Sequence, residues 1–216
     1  MSFTIDWWWP LQEEINTQFD FSRLREEVSS RLVYRLYKPR GNLLDLISNN
    51  VVNVVGAGLT GEDLIPDGVK IAADGAVSAC LERNILPDII VTDLDGNLPE
   101  IVWANKKGSQ VVVHAHGDNF SKLFEFSSQI QAINLTTTYP SSRTDCWGGF
   151  TDGDRSLMMS LNLGAKLVNL VGFNFDKIGQ YSGDFSPRKL QKLLWAKKIV
   201  NECRKRTGKV KIFNLQ

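Results

Sequence analysis

Short runs of β-branched and aliphatic residues alternate with helix-forming stretches through most of this chain. Parallel strands buried on both faces are almost continuously apolar, and each needs a crossover helix to reach its neighbour. Right-handed crossovers wind these helices over both faces of one sheet. We therefore predict an α/β fold with a doubly wound, mostly parallel sheet. The predicted strands are residues 51–55, 69–72, 89–92, 110–114, 132–136, 167–171 and 210–213.

Helices are predicted both between these strands and ahead of them. Those between the strands are residues 74–84, 99–107, 121–129, 152–163 and 187–206. Across residues 10–37 apolar side chains recur at mostly four-residue steps with one interruption, which predicts two amphipathic helices. The preceding Trp7, Trp8 and Trp9 are expected to pack this region onto a neighbouring domain or subunit. We therefore predict an N-terminal helical cap at residues 1–45 and an α/β domain at residues 46–216.

Charge and cysteine content argue against several classes of protein. The chain has 216 residues, with 25 Lys and Arg against 24 Asp and Glu, so a formal charge of +1 creates no basic field for nucleic acid. Three distant cysteines without CxxC spacing favour neither a disulfide framework nor a zinc site. The start lacks signal-peptide features, and no apolar run approaches the ~20 residues of a membrane helix. We predict a cytoplasmic protein with small-molecule partners; the sequence leaves open whether it forms a homo-oligomer.

Glycines and acids follow the predicted strands, at the edge where an open α/β sheet binds its ligands. After the first strand, Gly56 and Gly58 would let the backbone approach a phosphate closely and offer it amide hydrogens. A simple tight turn explains these glycines almost as well. The GxGxxG-like pattern is a weak motif, although Asp74 lies near the distance expected of a ribose-binding acid. We expect these three residues to contact a nucleotide.

The sharpest motif is Asp93-Leu94-Asp95-Gly96, directly after the third predicted strand. Residues i and i+2 of an extended backbone project to one side, so Asp93 and Asp95 could bind one cation together. Without a cation or protons, the two charges would repel each other. The alternative interpretation is an ordinary turn, because Asp and Gly are common turn residues.

Both histidines of the chain, His114 and His116, follow the fourth predicted strand, and Asp118 comes two residues later. No His or Cys cluster is present to complete a tetrahedral zinc site. We therefore expect the histidines to lie near bound phosphates or to support metal ligands.

A glycine-rich loop leads into the predicted helix at residues 152–163. Thr151 and Asp154 have the spacing of a capping box, which is a purely structural explanation. The same loop could bind a phosphate, because helix N-termini attract anions and Arg155 would add a forked donor. We expect Thr151, Asp154 and Arg155 to contact the nucleotide. Residues 172–183, after the sixth strand, are either a substrate lid or a surface excursion.

Motifs of acyl-transfer enzymes and P-loop kinases are absent from the sequence. There is no GxSxG elbow, no Walker lysine motif and no Cys-His nucleophile pair. Acids and histidines beside glycines at several strand ends favour magnesium-assisted phosphoryl-type transfer instead.

Taken together, these motifs resemble the archaeal 6-hydroxymethyl-7,8-dihydropterin pyrophosphokinases, whose core is similar to that of thiamine pyrophosphokinase. The matching segments are VVGAG, AADGA, PDIIVTDLDG, VVHAHGDN, GGFTDGDR and LGAKLVNLVGFNF, with an N-terminal segment of the WPLxxEI type. They span nearly the whole chain. Thiamine enzymes are similar at ADG and DxD but carry more acids after the fourth strand, so His114 and His116 favour the pterin branch.

The resemblance implies that ATP gives its β,γ-diphosphate to the hydroxymethyl group of a reduced pterin and that AMP is released. Our hypothesis is that Asp93 and Asp95, with Asp118 directly or through water, hold Mg²⁺ on the ATP phosphates and so form the catalytic centre.

Three alternatives remain open at this stage. Thiamine pyrophosphokinase would catalyse the same class of reaction on another alcohol. A nucleotide-sugar-dependent glycosyltransferase would also use DxD at a strand end to hold a metal-bound diphosphate. In a non-catalytic nucleotide-binding domain, the carboxylates would be turn formers and the tryptophan-rich cap a partner surface.

Overall fold

The computed structural model describes residues 5–183 and 185–213 and contains one seven-stranded sheet in which every neighbouring pair is parallel. The strands are β1 (Val51–Val55), β2 (Val69–Ala73), β3 (Ile89–Thr92), β4 (Gln110–Ala115), β5 (Ala132–Thr137), β6 (Leu167–Val171) and β7 (Val210–Phe213). Each agrees with its predicted range to within one residue. The α/β fold and its parallel sheet are therefore confirmed.

Eight helices occur in the described residues: α1 (Trp8–Phe19), α2 (Arg23–Leu36), α3 (Leu43–Ile47), α4 (Ala76–Leu81), α5 (Leu98–Lys106), α6 (Phe120–Phe126), α7 (Asp152–Asn162) and α8 (Pro187–Arg206). The start of α1 differs from the prediction, since Trp8 and Trp9 lie in the helix instead of ahead of it. α4 begins later than predicted because Asp74 has a left-handed φ of +43°, and it ends three residues before the predicted end. The five-residue α3 was not predicted, because one helical turn shows no periodicity.

The strand order, β5-β4-β3-β2-β1-β6-β7, determines where a ligand can bind. The chain winds outward from β1 to β5 and then returns to the other side of β1, where β6 pairs with it. Connections therefore leave β1 and β6 in opposite directions and open a crevice at the carboxyl ends of these strands. Gly56 and Gly172, the residues that follow β1 and β6, lie at this crevice.

The N-terminal helices share their core with the sheet. Trp8, Ile15 and Phe19 of α1 are buried in the same apolar cluster as Val52 and Val54 of β1. The predicted cap and α/β domain therefore pack against each other through shared apolar surface. Residues 1–4 of the cap and residues 214–216 of the domain lie outside the described part of the chain. None of the described helices is long and apolar enough to cross a membrane.

Removing an α1 side chain from this core should destabilise the whole protein. Ile15 is fully buried, so Ile15→Ala is expected to lower the free energy of unfolding by about 3 kcal/mol, through lost burial and the cavity left behind. Urea denaturation would measure this change. The matched control is Leu24→Ala on α2, since Leu24 is 71% exposed and should change the free energy of unfolding by less than about 0.5 kcal/mol. Equal effects of the two variants would contradict the shared core.

Candidate active site

Two glycine-containing loops form one wall of a cleft at the carboxyl ends of β1 and β6. A Cβ atom on Gly56 or Gly58 would lie 2.8 Å from the carbonyl oxygen of Gly172, so both positions require glycine for close backbone approach. The amide of Gly56 donates to Val171, and the amide of Gly58 donates to Gly172. These two amide hydrogens are therefore engaged within the protein, which differs from the expectation that they would be offered to phosphate.

Gly58→Ala should test this packing. The new methyl group would displace the backbone of the β6 loop, and we expect the free energy of unfolding to fall by about 1–3 kcal/mol. Gly61→Ala in the same loop is the control, because a Cβ atom there meets no heavy atom within 4 Å. Thermal denaturation of the two variants would measure the difference. A loss of stability with Gly61→Ala but not with Gly58→Ala would contradict this account of the wall.

Three carboxylates from three different elements meet on the floor of the cleft. Asp74 follows β2, Asp93 follows β3 and Asp152 begins α7. One oxygen from each lies within 4.8 Å of the other two, a spacing that a single metal ion could bridge. We call these three residues the acid cluster.

Local backbone geometry positions Asp74 in the cleft. The positive φ of Asp74 turns the chain after β2, and the hydroxyl of Thr92 donates to its carboxylate at 2.6 Å. Gly96 lies against the same carboxylate, where a Cβ atom would be 2.7 Å from its Oδ2. The glycine of the Asp93-Leu94-Asp95-Gly96 motif thus makes room for Asp74.

Asp93 and Asp95 both line the cleft but do not form the predicted pair on an extended backbone. β3 ends at Thr92, and Leu94 has a φ of +68°, so the backbone turns between the two acids. The side chain of Asp95 is 57% exposed and forms a 2.5 Å ion pair with Lys122. Asp95 therefore lies at the rim of the cleft, while Asp93 lies on the floor.

Asp118 is not brought to the acid cluster. Its carboxylate is 52% exposed and forms a 3.2 Å ion pair with Arg25 of α2. The loop that carries it is held away by α2, because the amide of Gly117 donates to the buried Glu26. The third acid is Asp152 instead. We named its segment from the sequence but did not select this residue.

His116 supports Asp93, whereas His114 belongs to the core. The Nε2 atom of His116 lies 3.7 Å from a carboxylate oxygen of Asp93. The amide group of Asn119 donates to the backbone carbonyls of Asp93 and His114 and so ties the two loops together. His114 is only 3% exposed, and burial followed by the charge of Arg155 lowers its pKa well below the usual value. The ring of the neutral His114 stacks against the ring of His116, with 5.7 Å between the ring centres.

The residues at the start of α7 that are predicted to bind the nucleotide do not all line the cleft. Thr151 lines the cleft, and so does Asp152. Asp154 is fully buried, and its carboxylate accepts hydrogen bonds from the amides of Phe150 and Thr151, which confirms the capping interpretation. Arg155 is also buried and donates to the carbonyl of Phe150. Neither Asp154 nor Arg155 lines the cleft, but Arg155 lies one helical turn after Asp152, and its Nε atom is 3.7 Å from the Asp152 carboxylate.

The acid cluster is electrostatically crowded. Burial, followed by the negative charge of Asp93, raises the pKa of Asp74 to about 7. The same two causes raise the pKa of Asp152 well above its usual value. Burial would also raise the pKa of Asp93, but the neighbouring His116, together with Lys192 and Arg155, lowers it to about 2. Crowded acids with opposite shifts are typical of a site that binds a cation or handles protons.

The residues after β6 pack over the mouth of the cleft. A Cβ atom on Gly179 would lie 2.3 Å from the carbonyl oxygen of Ala57, so this segment rests on the first glycine loop. Tyr181 donates its hydroxyl hydrogen to Glu82 on the far side at 2.5 Å. The segment therefore extends over the cleft from the loop after β1 to the end of α4.

The model of the MptE-like family, described as 6-hydroxymethylpterin diphosphokinase MptE-like, matches residues 64–179. The chain belongs to this family. The resemblance inferred from the sequence motifs is thus confirmed. The segment shared with the MptE-like family includes all three residues of the acid cluster as well as Asp95 and Asp118.

Three curated relatives support membership of the MptE-like family. They are proteins of Pyrococcus furiosus, 36% identical over 95% of this chain and 96% of the relative; Methanothermobacter thermautotrophicus, 34% over 95% and 97%; and Methanocaldococcus jannaschii, 32% over 90% and 93%. Each of them is named 6-hydroxymethyl-7,8-dihydropterin pyrophosphokinase. Similarity therefore extends across nearly the full length of both chains.

Proposed function

We propose that this protein transfers a diphosphate group from ATP to the hydroxymethyl group of 6-hydroxymethyl-7,8-dihydropterin, releasing AMP, in a magnesium-dependent reaction. The observation that carries this proposal is the convergence of Asp74, Asp93 and Asp152 at the sheet's ligand-binding edge in a member of the MptE-like family. The names of the three relatives support the pterin alcohol over thiamine as the acceptor.

The acid cluster fits Mg²⁺ by its chemistry. Hard divalent cations prefer carboxylate oxygens, and the three acids offer one oxygen each within a shared volume. The side chain of Asp152 is only 10% exposed, yet its Oδ1 has no hydrogen-bond partner and lies 3.7 Å from the Nε atom of Arg155. Arg155 forms an ion pair with this oxygen at that distance, and because the buried oxygen accepts no hydrogen bond it can also take a metal ion as a partner.

We therefore propose a revised set of metal ligands. Asp93 is kept from the set inferred from the sequence, and Asp74 and Asp152 replace Asp95 and Asp118. Asp95 lies at the rim of the same cleft, where it could contact a bound cation through water, but Asp118 faces Arg25. When bound, Mg²⁺ supplies positive charge to the phosphate oxygens and so lowers the electrostatic cost of attack.

The side chains around the acid cluster would position the reactants. His116 beside Asp93 keeps that carboxylate ionised, and Asn119 fixes the backbone of Asp93. Phe150 and Phe173 line the cleft and would exclude water from the phosphates. Positioning and charge stabilisation account for most of the catalysis in phosphoryl transfer, which needs little covalent chemistry from the protein.

In the proposed reaction, the hydroxymethyl oxygen forms a bond to the β-phosphorus of ATP. The bond from that phosphorus to the oxygen bridging the α-phosphate breaks, and AMP leaves with the electron pair. The hydroxyl proton passes to solvent. The products are the diphosphate ester of the pterin and AMP.

A direct assay tests this function. The protein is incubated with ATP, Mg²⁺ and the reduced pterin alcohol, and mass spectrometry is used to detect the pterin diphosphate ester and AMP. Parallel reactions contain thiamine in place of the pterin, or EDTA in place of Mg²⁺. We expect product only with the pterin and the metal. Thiamine diphosphate as the main product, or turnover unaffected by EDTA, would contradict the proposal.

A further inference from the structure

One face of α8 lines the same cleft as the acid cluster. Lys189, Lys192, Leu193 and Ala196 all line the cleft, and their spacing of three, four and seven residues places them on one side of the helix. The cleft therefore has an acidic floor, formed by ends of strands and the start of α7, and a wall that carries two ammonium groups. The apolar Leu193 and Ala196 beside them reduce contact with water.

The two cleft lysines differ from the other lysines of α8 in their partners. Lys197, Lys198 and Lys205 form ion pairs with Asp176, Glu14 and Glu202, respectively. Neither Lys189 nor Lys192 forms an ion pair with a carboxylate in residues 5–183 or 185–213. Both are partly buried, although lysine is usually exposed or paired.

Lys192 is the better placed of the two. Its ammonium lies 5.6 Å from the ring centre of Phe150, which precedes Thr151 and Asp152 at the start of α7. Its positive charge also helps to lower the pKa of Asp93. An ammonium and a cation-binding carboxylate that face the same space are suited to bind a metal-bound anion between them.

We propose that Lys192, assisted by Lys189, binds the polyphosphate chain of the nucleotide in the cleft that contains the acid cluster. This inference rests on the proposed function. A cleft lined by carboxylates alone would repel phosphate wherever no cation intervenes, and a lysine in the same cleft reduces that repulsion. Lysine is a common phosphate ligand because its ammonium acts as a compact point charge. In this cleft Lys192 would do what the lysine of a Walker motif does in other folds.

The test compares three variants of the full chain. Lys192→Met keeps most of the length of the side chain and its helix propensity but removes its charge, and Lys192→Arg keeps the charge. Lys205→Met is the control, because Lys205 is exposed and lies in the last turn of the same helix. Calorimetry measures the affinity of each for α,β-methylene-ATP with Mg²⁺, an analogue whose α–β bridge cannot be cleaved. We expect Lys192→Met to bind about 10- to 100-fold more weakly, since charged hydrogen bonds are of that strength. Lys205→Met should bind like wild type and Lys192→Arg within about 5-fold of it.

Chemical modification of the wild-type protein provides a measurement that needs no variant. Lys192 is acetylated with an amine-reactive reagent, and mass spectrometry of peptides measures the rate. The complex of Mg²⁺ and the ATP analogue should slow this acetylation several-fold. Acetylation of Lys205 should be unchanged. Equal acetylation of Lys192 with and without the complex would overturn the inference.

The outcomes separate this inference from the proposed function. If wild type binds the analogue and Lys192→Met binds it equally well, the role of Lys192 is wrong while the proposed function stands. If wild type binds no analogue with Mg²⁺, the proposed function itself is wrong, and this inference is overturned with it. A raised KM for the pterin alone in Lys192→Met would assign Lys192 to the acceptor site and also overturn the inference.

Discussion

Asp93→Asn is expected to reduce kcat by about 1,000-fold or more without unfolding the protein. Asp93 is the acid of the cluster that positive groups keep ionised, so it should supply the strongest attraction for the metal. Asparagine has nearly the same shape and can still accept the hydrogen bond from the amide of Asp95. The loss should therefore come from removal of charge. Release of AMP from ATP in the presence of Mg²⁺ and the pterin alcohol is the quantity to measure.

Two controls determine how the Asp93→Asn result is interpreted. Circular dichroism and the thermal midpoint should match those of wild type, which excludes misfolding as the cause. Asp88→Asn, a change at an acid outside the cleft, should leave kcat within about 3-fold of wild type. Near-normal turnover by Asp93→Asn would remove Asp93 from the metal site.

Asp152→Asn and Asp118→Asn should have opposite outcomes. We expect Asp152→Asn to lower kcat by about 100-fold and to weaken Mg²⁺ binding by at least 10-fold, because it removes a carboxylate from the acid cluster. Asparagine is well tolerated near a helix N-terminus, so α7 should still form. Asp118→Asn should change both quantities by less than about 3-fold, since it removes only an exposed ion pair.

This pair of variants compares the site inferred from the sequence with the site found in the structure. Activity as a function of Mg²⁺ concentration gives both quantities in one assay. Loss of activity in Asp118→Asn with normal activity in Asp152→Asn would favour the set inferred from the sequence and contradict the acid cluster.

The strands could be predicted from the sequence because they are buried on both faces. Such strands appear as uninterrupted apolar runs, as in Val51–Val55 and Ile89–Thr92, and local composition alone marks their ends. Helix ends were less accurate, because they depend on single backbone angles. The left-handed conformation of Asp74, for example, delays the start of α4. The short α3 gave no periodic signal at all.

The acid cluster was only partly predictable because it is built from distant parts of the chain. Asp74 and Asp93 were found by the rule that ligands bind at strand ends, although Asp74 was assigned to the ribose. Asp152 was missed because nothing local shows that α7 starts beside β2 and β3. The available signal was an acid at the first residue of a helix that follows a glycine-rich loop.

The position of Asp118 also depends on contacts from a distant part of the chain. Its spacing from the two histidines suggested a shared site, but Glu26, far away in the sequence, binds the amide of Gly117 and the hydroxyl of Thr138. These contacts from α2 fix the loop so that Asp118 faces Arg25. Long-range side-chain contacts of this kind leave no trace in local spacing.

A crystal structure with Mn²⁺ and α,β-methylene-ATP tests the central claim most directly, because anomalous scattering from manganese locates the ion independently of the protein atoms. We predict a peak within about 2.2 Å of carboxylate oxygens from Asp74, Asp93 and Asp152, with none at Asp118. A peak held by Asp95 and Asp118 and distant from Asp152, or nucleotide bound in the cleft with no metal, would contradict the account.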